Sequence, residues 1–291
     1  MSNTATVLAF DFGASSGRAI RAVYDGQNLT YEEIHRFENI PVEKDGHLCW
    51  DVETLLKEIH TAIQKAGTFD SLGFDTWGVD FGLLDTDGHL LANPVHYRDA
   101  RTNGKPEQAA ARMPAEELYA HTGNQIMAIN TLFQLLALQE QEPELLQKAE
   151  QILFMPDLFA ALLGAEPVCE RSIASTSQML DPRTGQWSRE VLAAYGLNEK
   201  HFAPIVASGT VTGTLANGTK IIAVAGHDTQ CASAAMPCAE EDAEHTAFLS
   251  CGTWSLLGTE LDAPILTADS CQSGLSNELG ANGKINYLKN I

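Results

Sequence analysis

Three predicted β-strands open the chain and constrain its fold more than any other feature. The first strand, 7–12, is mostly apolar and is followed by a loop of small residues at 13–17. Residues 18–24 alternate in polarity, and the turn at Asp25-Gly26 leads into a third strand at 29–37. Consecutive strands with such short connections predict an antiparallel meander at the start of a sheet.

Helices and further strands alternate after this meander. Asp51 is a typical N-cap for a helix with Val52, Leu55, Leu56, Ile59 and Ile63 on one apolar face, and Gly67 is a typical stop. A strand follows at 72–76, the region 106–163 is largely helical in pattern, and 221–225 is another apolar strand. This alternation predicts an α/β protein.

Composition excludes several classes of protein. The 291 residues are 44% hydrophobic, which favours a folded core. Their formal net charge of −20 disfavours binding to nucleic acid or to a membrane. The first ten residues lack a leader pattern, and the six cysteines lack zinc-site spacing. We therefore expect a cytoplasmic protein that is a monomer or a weak homo-oligomer.

The loop after the first strand has the composition of a phosphate site. Gly13, Ser15, Ser16 and Gly17 allow consecutive N–H groups to face one concavity, and Arg18 adds a cation. Asp11 would repel phosphate unless Mg²⁺ or ordered water lay between them. An ordinary hairpin with a capping aspartate is the alternative, and composition alone favours it.

Three other segments suggest a site. Asp228 follows an apolar strand in the triplet Gly226-His227-Asp228, where it could act as a general base or simply cap the next helix. The stretch 250–254 (SCGTW) resembles a second phosphate loop, with Thr253 as a hydroxyl donor. Trp77 could stack on a sugar and Asp80 accept its hydroxyls, although a core tryptophan beside a turn is the simpler interpretation.

Taken together, these segments resemble the FGGY family of carbohydrate kinases, and most closely its members that act on L-rhamnulose. The segments that carry the resemblance occur in order along the chain: DFGASSGR (11–18), IHRFENIPV (34–42), GHLCWDVETL (46–55), DTWGVDFGLLDTDG (75–88), YRDARTNG (97–104), NTLFQLLAL (130–138), LFMPDLF (153–159), AGHDT (225–229), LSCGTWSLLG (249–258) and YLKNI (287–291).

The resemblance implies a ribonuclease H-like fold of the actin, Hsp70 and sugar-kinase type, with a mixed sheet flanked by helices and the start of a second, similar domain. It implies transfer of the ATP γ-phosphoryl group to the 1-hydroxyl of L-rhamnulose, with Mg²⁺. By the same resemblance Asp228 is the base and Asp11 the acid that holds hydrated Mg²⁺. The matching sugar-pocket positions are Gly78, His227, Asp228, Thr229 and Asn290, and the matching phosphate-loop positions are Ala14, Ser15, Ser16, Gly17, Arg18 and Thr253.

The chain departs from the family pattern in two motifs and in length. One motif is Glu170-Arg171-Ser172, which differs from the family's acidic-aromatic-Thr run before Ser175, Thr176 and Ser177. The family's N-E-G-G segment reads Asn277-Glu278-Leu279-Gly280, and a leucine there puts the expected backbone conformation in doubt. We expect a sugar-binding domain at 1–239 and only the beginning of an ATPase domain at 245–291, so that this chain binds nucleotide poorly and turns over weakly or not at all. A clear rate with ATP and L-rhamnulose in a coupled assay of the 291-residue chain would contradict that expectation.

Two alternatives remain open. One is another FGGY ketose or polyol kinase, acting on L-fuculose or D-xylulose, which a panel of sugars would reveal. The other is a non-catalytic sugar- or nucleotide-binding module. Asp11, Arg18, His227 and Asp228 occurring together argue against the second alternative, because binding alone requires neither a base nor a metal-binding acid.

Overall fold

A computed structural model describes residues 4–236, 242, 245–252 and 254–291. Within these residues the strands are β1 (Ala5–Phe12), β2 (Ser16–Tyr24), β3 (Leu29–Glu38), β4 (Val42–Lys44), β5 (His47–Cys49), β6 (Ser71–Thr76), β7 (Phe81–Leu84), β8 (Gln151–Phe154), β9 (Cys169–Glu170), β10 (Leu180–Asp181), β11 (Gln186–Trp187), β12 (Ile205–Val206), β13 (Thr210–Thr214), β14 (Lys220–Ala223), β15 (Ala247–Cys251), β16 (Ser255–Leu261), β17 (Ser276–Leu279) and β18 (Ile285–Asn290). The helices are α1 (Val52–Ala66), α2 (Lys105–Ala109), α3 (Ala115–Thr122), α4 (Thr131–Gln141), α5 (Pro143–Lys148), α6 (Met155–Leu162), α7 (Arg171–Ala174), α8 (Arg189–Tyr195), α9 (Asp228–Ala234) and α10 (Ala268–Gln272), with 3₁₀ turns at Ala100–Thr102 and Glu199–His201.

A six-stranded mixed sheet, in the order β13-β14-β6-β1-β2-β3, forms the centre of the first unit. The predicted meander is confirmed, since β1 pairs antiparallel with β2 and β2 with β3. On its other side β1 pairs parallel with β6, and β6 pairs parallel with β14. Because β1, β6 and β14 run in the same direction, their carboxyl ends meet at one edge of the sheet, as the predicted α/β fold requires.

Helices cover the sheet, and local sequence signals explain where they begin and end. The Asp51 side chain accepts a hydrogen bond from the Thr54 amide, and Gly67 ends α1 with a φ of 68°. Val52, Leu55 and Ile59 of this helix are buried. Each fully buried side chain of this kind contributes about 1.5–3 kcal/mol relative to an exposed one.

Aromatic side chains fill the space between the sheet and α6. Phe10 stacks on Phe74 with ring centroids 4.9 Å apart, and Phe12 stacks on Phe159 at 4.8 Å. The predicted helical region 106–163 is correct for α2 to α6 except at Gln151–Phe154, which is a strand paired with β7. A short apolar run such as this fits a strand as well as a buried helix, so periodicity alone does not distinguish them.

A second, four-stranded antiparallel sheet in the order β15-β16-β18-β17 follows in the chain. Its own small core contains Phe248, Leu256 and Leu288. Leu279 of β17 instead belongs to the core of the first unit, and its amide donates to Ser175 Oγ at 3.0 Å. Leu279 lies in regular strand and has no positive φ, so the departure from the family motif does not disturb the backbone.

The boundary expected between 239 and 245 falls largely outside the described residues. Where the chain is described, none of its helices combines the length and apolar character needed to cross a bilayer.

Candidate active site

A cleft of about 650 Å³ lies between the two sheets, at the edge where β1 and β6 end and where the turn after β14 begins. Ten of the predicted site residues line it: Asp11, Ala14, Ser15, Ser16, Arg18, Gly78, His227, Asp228, Thr229 and Asn290. Residues from positions 11 to 290 of the sequence therefore meet in one concave site.

The loop between β1 and β2 lines this cleft with Gly13, Ala14, Ser15 and Ser16. The Gly13 amide donates to Ser16 O at 2.9 Å, which closes the turn. The amides of Ala14 and Ser15 make no hydrogen bond among the described residues. Adjacent amides without partners, in a cleft, are the arrangement that binds phosphate oxygens.

Asn39 holds the loop from the side away from the cleft, and sequence reasoning did not identify it. Its Nδ2 donates to Gly13 O at 2.9 Å and its amide donates to Ser15 O at 3.0 Å. Asn39 is 2% exposed. Since both loop carbonyls are bonded to Asn39, the loop is held in a fixed conformation before any ligand arrives.

Gly17 does not line the cleft. It is buried in β2 opposite Phe12 and Phe37. A Cβ at this position would lie 2.3 Å from Cζ of Phe37, so the close approach of that ring accounts for the glycine. Gly17 was expected to contact phosphate, but it lies outside the lining of the cleft.

Asp11 and Arg18 form an ion pair at the mouth of the cleft. Arg18 donates from Nε and Nη2 to Asp11 Oδ2 at 2.8 and 2.5 Å. Asp11 Oδ1 has no hydrogen-bond partner among the described residues. A free, partly exposed carboxylate oxygen is a hard ligand of the type that suits Mg²⁺ or one of its water molecules.

Asp75 adds a second acid beside Asp11, and it was missed in the sequence. The two residues are Cα partners across the parallel pair β1 and β6, and both line the cleft. Burial, together with the charges of Asp11 and Asp228, raises the pKa of Asp75 well above its ordinary value. The pairing that brings it there is a long-range contact with no local sequence signal.

Asp228 is the first residue of α9, and His227 before it occupies the N-cap position without a capping hydrogen bond from its side chain. Asp228 Oδ1 accepts hydrogen bonds from the Thr229 amide at 2.6 Å and from Thr229 Oγ1 at 3.2 Å. Partial burial in the cleft raises the pKa of the Asp228 carboxyl, although its side chain is 42% exposed, while the charge of His227 and the bonds from Thr229 act in the opposite direction. A carboxylate whose proton affinity is raised in this way suits the role of general base.

His227 lies beside this carboxylate, with Nε2 3.5 Å from Asp228 Oδ1. Burial disfavours a charge on the imidazole, but the carboxylates of Glu278, Asp228 and Asp75 and the hydrogen bond to Glu278 together raise the pKa of His227 to about 9. The ring is therefore an imidazolium at neutral pH.

The lining of the cleft also combines apolar and amide side chains. Gly78 lies against His227, since a Cβ there would be 3.4 Å from its Nε2. Asn290 Nδ2 donates to Gln125 Oε1 at 3.3 Å. Trp77, the candidate for stacking on a sugar, also lines the cleft. Further lining residues that sequence reasoning missed are Val79, Tyr97, Asn124, Gln125, Met127, Ile129, Asn130 and Thr176. Such a mixture of flat apolar surface and hydrogen-bonding groups fits a sugar.

Asp80 does not serve as a ligand for sugar hydroxyls. Its Oδ2 accepts from Trp50 Nε1 at 2.7 Å, from Trp77 Nε1 at 3.0 Å and from the Tyr97 amide at 3.1 Å. Its Oδ1 accepts from Gln134 Nε2 at 2.8 Å, and the residue is fully buried. Asp80 therefore anchors the wall of the cleft, as the simpler interpretation held.

The hairpin of β15 and β16 closes the other side of the cleft. Ser250, Gly252 and Trp254 line it, and the Gly252 amide donates to Trp254 O at 2.9 Å. Thr253, expected to donate its hydroxyl to phosphate, lies outside the described residues. Two strand–turn–strand units thus border one cleft.

A mixed sheet with helices on it, a second sheet across a cleft, and loops of both at that cleft define the fold of the sugar kinases. The N-terminal domain of the FGGY family of carbohydrate kinases matches residues 6–234, and the chain belongs to this family.

Comparison with individual proteins agrees with this family assignment. The chain is 41% identical over 297 aligned positions to a rhamnulokinase of Bacteroides thetaiotaomicron. The alignment covers 98% of this chain but only 61% of that relative's length. Its fold is similar to that of a ligand-bound xylulose kinase from Lactobacillus acidophilus, with a TM-score of 0.82, 16% identity and coverage of 98% of this chain and 59% of the other. A gluconate kinase from the same organism gives a TM-score of 0.81, 17% identity and coverage of 98% and 59%.

Proposed function

We propose that this chain provides the sugar site and a phosphate loop of an ATP-dependent kinase that phosphorylates the 1-hydroxyl of L-rhamnulose. The observation that carries the proposal is one cleft lined both by Ala14 and Ser15, whose amides are unpaired among the described residues, and by Asp228. The 41% identity to a rhamnulokinase supports L-rhamnulose as the sugar.

In the proposed reaction Asp228 orients the 1-hydroxyl and accepts its proton. The hydroxyl oxygen forms a bond to the γ-phosphorus, the bond from that phosphorus to the β,γ-bridging oxygen breaks, and ADP leaves with the electron pair. Mg²⁺, when bound, supplies positive charge that offsets charge on the phosphates.

The remaining groups hold the reactants in place. The loop amides and Arg18 bind phosphate oxygens, and Arg18 must turn from Asp11 to do so or bind while still paired to it. Asp11 offers its free Oδ1 to the hydrated cation. The apolar walls exclude water, which reduces loss of the phosphoryl group to hydrolysis.

A sugar panel tests the proposal. The chain, with any sequence that continues it in the native protein (called here the full-length protein), is assayed with ATP and Mg²⁺ against L-rhamnulose, L-fuculose and D-xylulose in a coupled ADP assay. We expect the highest kcat/KM with L-rhamnulose. NMR of the product should show that it is the 1-phosphate. A preference for either other sugar overturns the substrate, and no phosphorylation of any sugar together with tight sugar binding favours a binding module.

A further inference from the structure

Glu278 connects the second sheet to the residues beside the proposed base. It lies on β17, is 7% exposed, and its Oε2 is 2.7 Å from His227 Nδ1. The same oxygen accepts from Gln230 Nε2 at 2.7 Å. Sequence reasoning treated Glu278 only as part of a family motif.

Gln230 is in turn held in place by buried groups. It is fully buried, and its Oε1 accepts a hydrogen bond from Asn286 Nδ2. Asn286 also donates to Ser233 Oγ at 3.0 Å. Because Gln230 uses its oxygen for Asn286, its nitrogen must donate to Glu278, and Glu278 Oε2 must therefore act as an acceptor towards both neighbours.

This assignment fixes the proton on His227. An accepting carboxylate at 2.7 Å requires a hydrogen on Nδ1, and Nε2 of the same ring then faces Asp228 Oδ1 at 3.5 Å. The His227 amide is held as well, since it donates to Ser172 Oγ at 3.4 Å. The ring therefore has one orientation, set from the second sheet, in which Nε2 faces the proposed base.

We propose that Glu278 is a positioning residue for the phosphoryl transfer, which holds the His227 ring so that Nε2 faces Asp228 and the acceptor hydroxyl. This inference rests on the proposed function for its effect on turnover. Glu278 does not touch the reacting atoms. It acts through His227, whose positive charge favours the ionised form of Asp228, and ionised Asp228 is the form that accepts a proton.

The acids around His227 act on it from several elements. Glu278 lies on β17, Asp228 on α9 and Asp75 on β6, and Asp11 on β1 lies farther out beside Asp75. Among these acids of the cleft, Glu278 is the one that hydrogen-bonds the ring. Replacing its charge should therefore change His227 first and Asp228 second.

Two substitutions separate charge from geometry. Glu278→Gln keeps the size of the side chain and removes its charge, whereas Glu278→Asp keeps the charge on a shorter side chain. Glu260→Gln is the matched control, because Glu260 lies on β16 of the same sheet and pairs with Lys284 at 3.3 Å, away from His227. Kinetics use the full-length protein, and NMR titration of the His227 ring uses the 291-residue chain.

We expect Glu278→Gln to lower kcat about tenfold or more with a smaller change in the KM for sugar. Its His227 ring should titrate at least about one pH unit below that of the unsubstituted chain. The acidic limb of kcat/KM should then move to higher pH, because a neutral His227 no longer favours ionised Asp228. Glu278→Asp should restore most of the turnover and leave the limbs in place, and Glu260→Gln should match the unsubstituted protein.

Equal losses in Glu278→Gln and Glu278→Asp with unmoved pH limbs would mean a structural role only, and would overturn the inference. An unchanged His227 titration in Glu278→Gln would also overturn it. If Glu278→Gln does not fold, Glu278→Asp still decides, because a large loss of turnover with an unmoved His227 titration in that variant contradicts action through His227. The NMR arm does not depend on kinase activity, so absence of sugar phosphorylation would refute the proposed function without deciding this inference.

Discussion

Arg18 and Asp11 are bound to each other across the mouth of the cleft, with Arg18 Nε and Nη2 at 2.8 and 2.5 Å from the same carboxylate oxygen. The pair joins β1 to β2 next to the loop of Ala14 and Ser15, whose amides have no partner among the described residues. Its side chains are 44% and 30% exposed, so water screens the attraction and the pair adds little to stability. We therefore expect the pair to matter for nucleotide binding rather than for stability.

Arg18→Ala should raise the KM for ATP about tenfold, as the loss of a charge-assisted hydrogen bond does, and should change the free energy of unfolding by less than about 1 kcal/mol. Steady-state kinetics of the full-length protein and urea denaturation measure the two effects. Arg183→Ala is the control, because Arg183 forms a similar exposed pair with Asp181 and does not line the cleft. An unchanged KM for ATP would remove Arg18 from the phosphate site.

Asp80 should make stability depend on pH. Burial raises its pKa from 3.8 to about 6, against the opposing effect of its hydrogen bonds from Trp50, Gln134, Trp77 and Tyr97. The folded state therefore binds this proton more tightly than the unfolded chain. The resulting stabilisation, about 3 kcal/mol, is present in full below about pH 4 and is lost as the pH rises through about 6.

Asp80→Asn removes the titrating carboxyl, so the variant should not lose this stabilisation as the pH rises. Its free energy of unfolding relative to the unsubstituted chain should therefore increase by about 3 kcal/mol between pH 4 and 7. Urea denaturation across that range measures the difference. Asp262→Asn, an exposed acid with a side chain 81% exposed, should give a curve parallel to the unsubstituted chain. Parallel curves for Asp80→Asn would show that Asp80 titrates alike in the folded and unfolded states.

Val79 lines the cleft with a left-handed backbone, at a φ of 66°, which strains a β-branched residue. Its amide donates to Thr176 Oγ1 at 3.1 Å and its carbonyl accepts from Thr131 Oγ1 at 2.6 Å, which hold this conformation. Val79→Gly should consequently be more stable than Val79→Ala by about 1 kcal/mol.

At Val191, which is buried within α8, the alanine variant should instead be more stable than the glycine variant, because alanine is the better helix former. Thermal and urea denaturation of the four variants give the comparison. Greater stability of alanine over glycine at both positions would show that Val79 is not strained.

Asn124 has a buried Oδ1 that lacks a hydrogen-bond partner in the part of the chain that the structure describes, although its Nδ2 donates to Ser175 O at 2.8 Å. The residue lines the cleft, so a sugar hydroxyl that donates to Oδ1 would satisfy it. Asn124→Ala should raise the KM for sugar about tenfold and leave the KM for ATP unchanged. Asn217→Ala, in an exposed turn, is the control. Equal changes in both KM values would indicate a general disturbance of the cleft.

Local signals in the sequence predicted much of the fold. The Asp51 cap, the apolar face of α1 and the Gly67 stop need only neighbouring residues, and each is where the pattern indicated. The site is different, because its parts come from distant strands. Asp75 reaches the cleft by pairing with β1, and Glu278 reaches His227 from another sheet.

Two interpretations show where residue type misleads. Asp80 beside Trp77 has the composition of a sugar site, yet its oxygens are occupied by four buried donors. Gly17 belongs to a phosphate-loop pattern, yet it serves the packing of Phe37. In both cases the deciding contact comes from a residue distant in sequence.

Asp228→Asn tests the central claim most directly. In the full-length protein we expect kcat for L-rhamnulose to fall by about 10² to 10⁴, because the amide cannot accept the hydroxyl proton. Calorimetry should give a sugar dissociation constant within about threefold of the unsubstituted protein, since the amide keeps the shape of the side chain. Unchanged turnover in Asp228→Asn would contradict its role as the base.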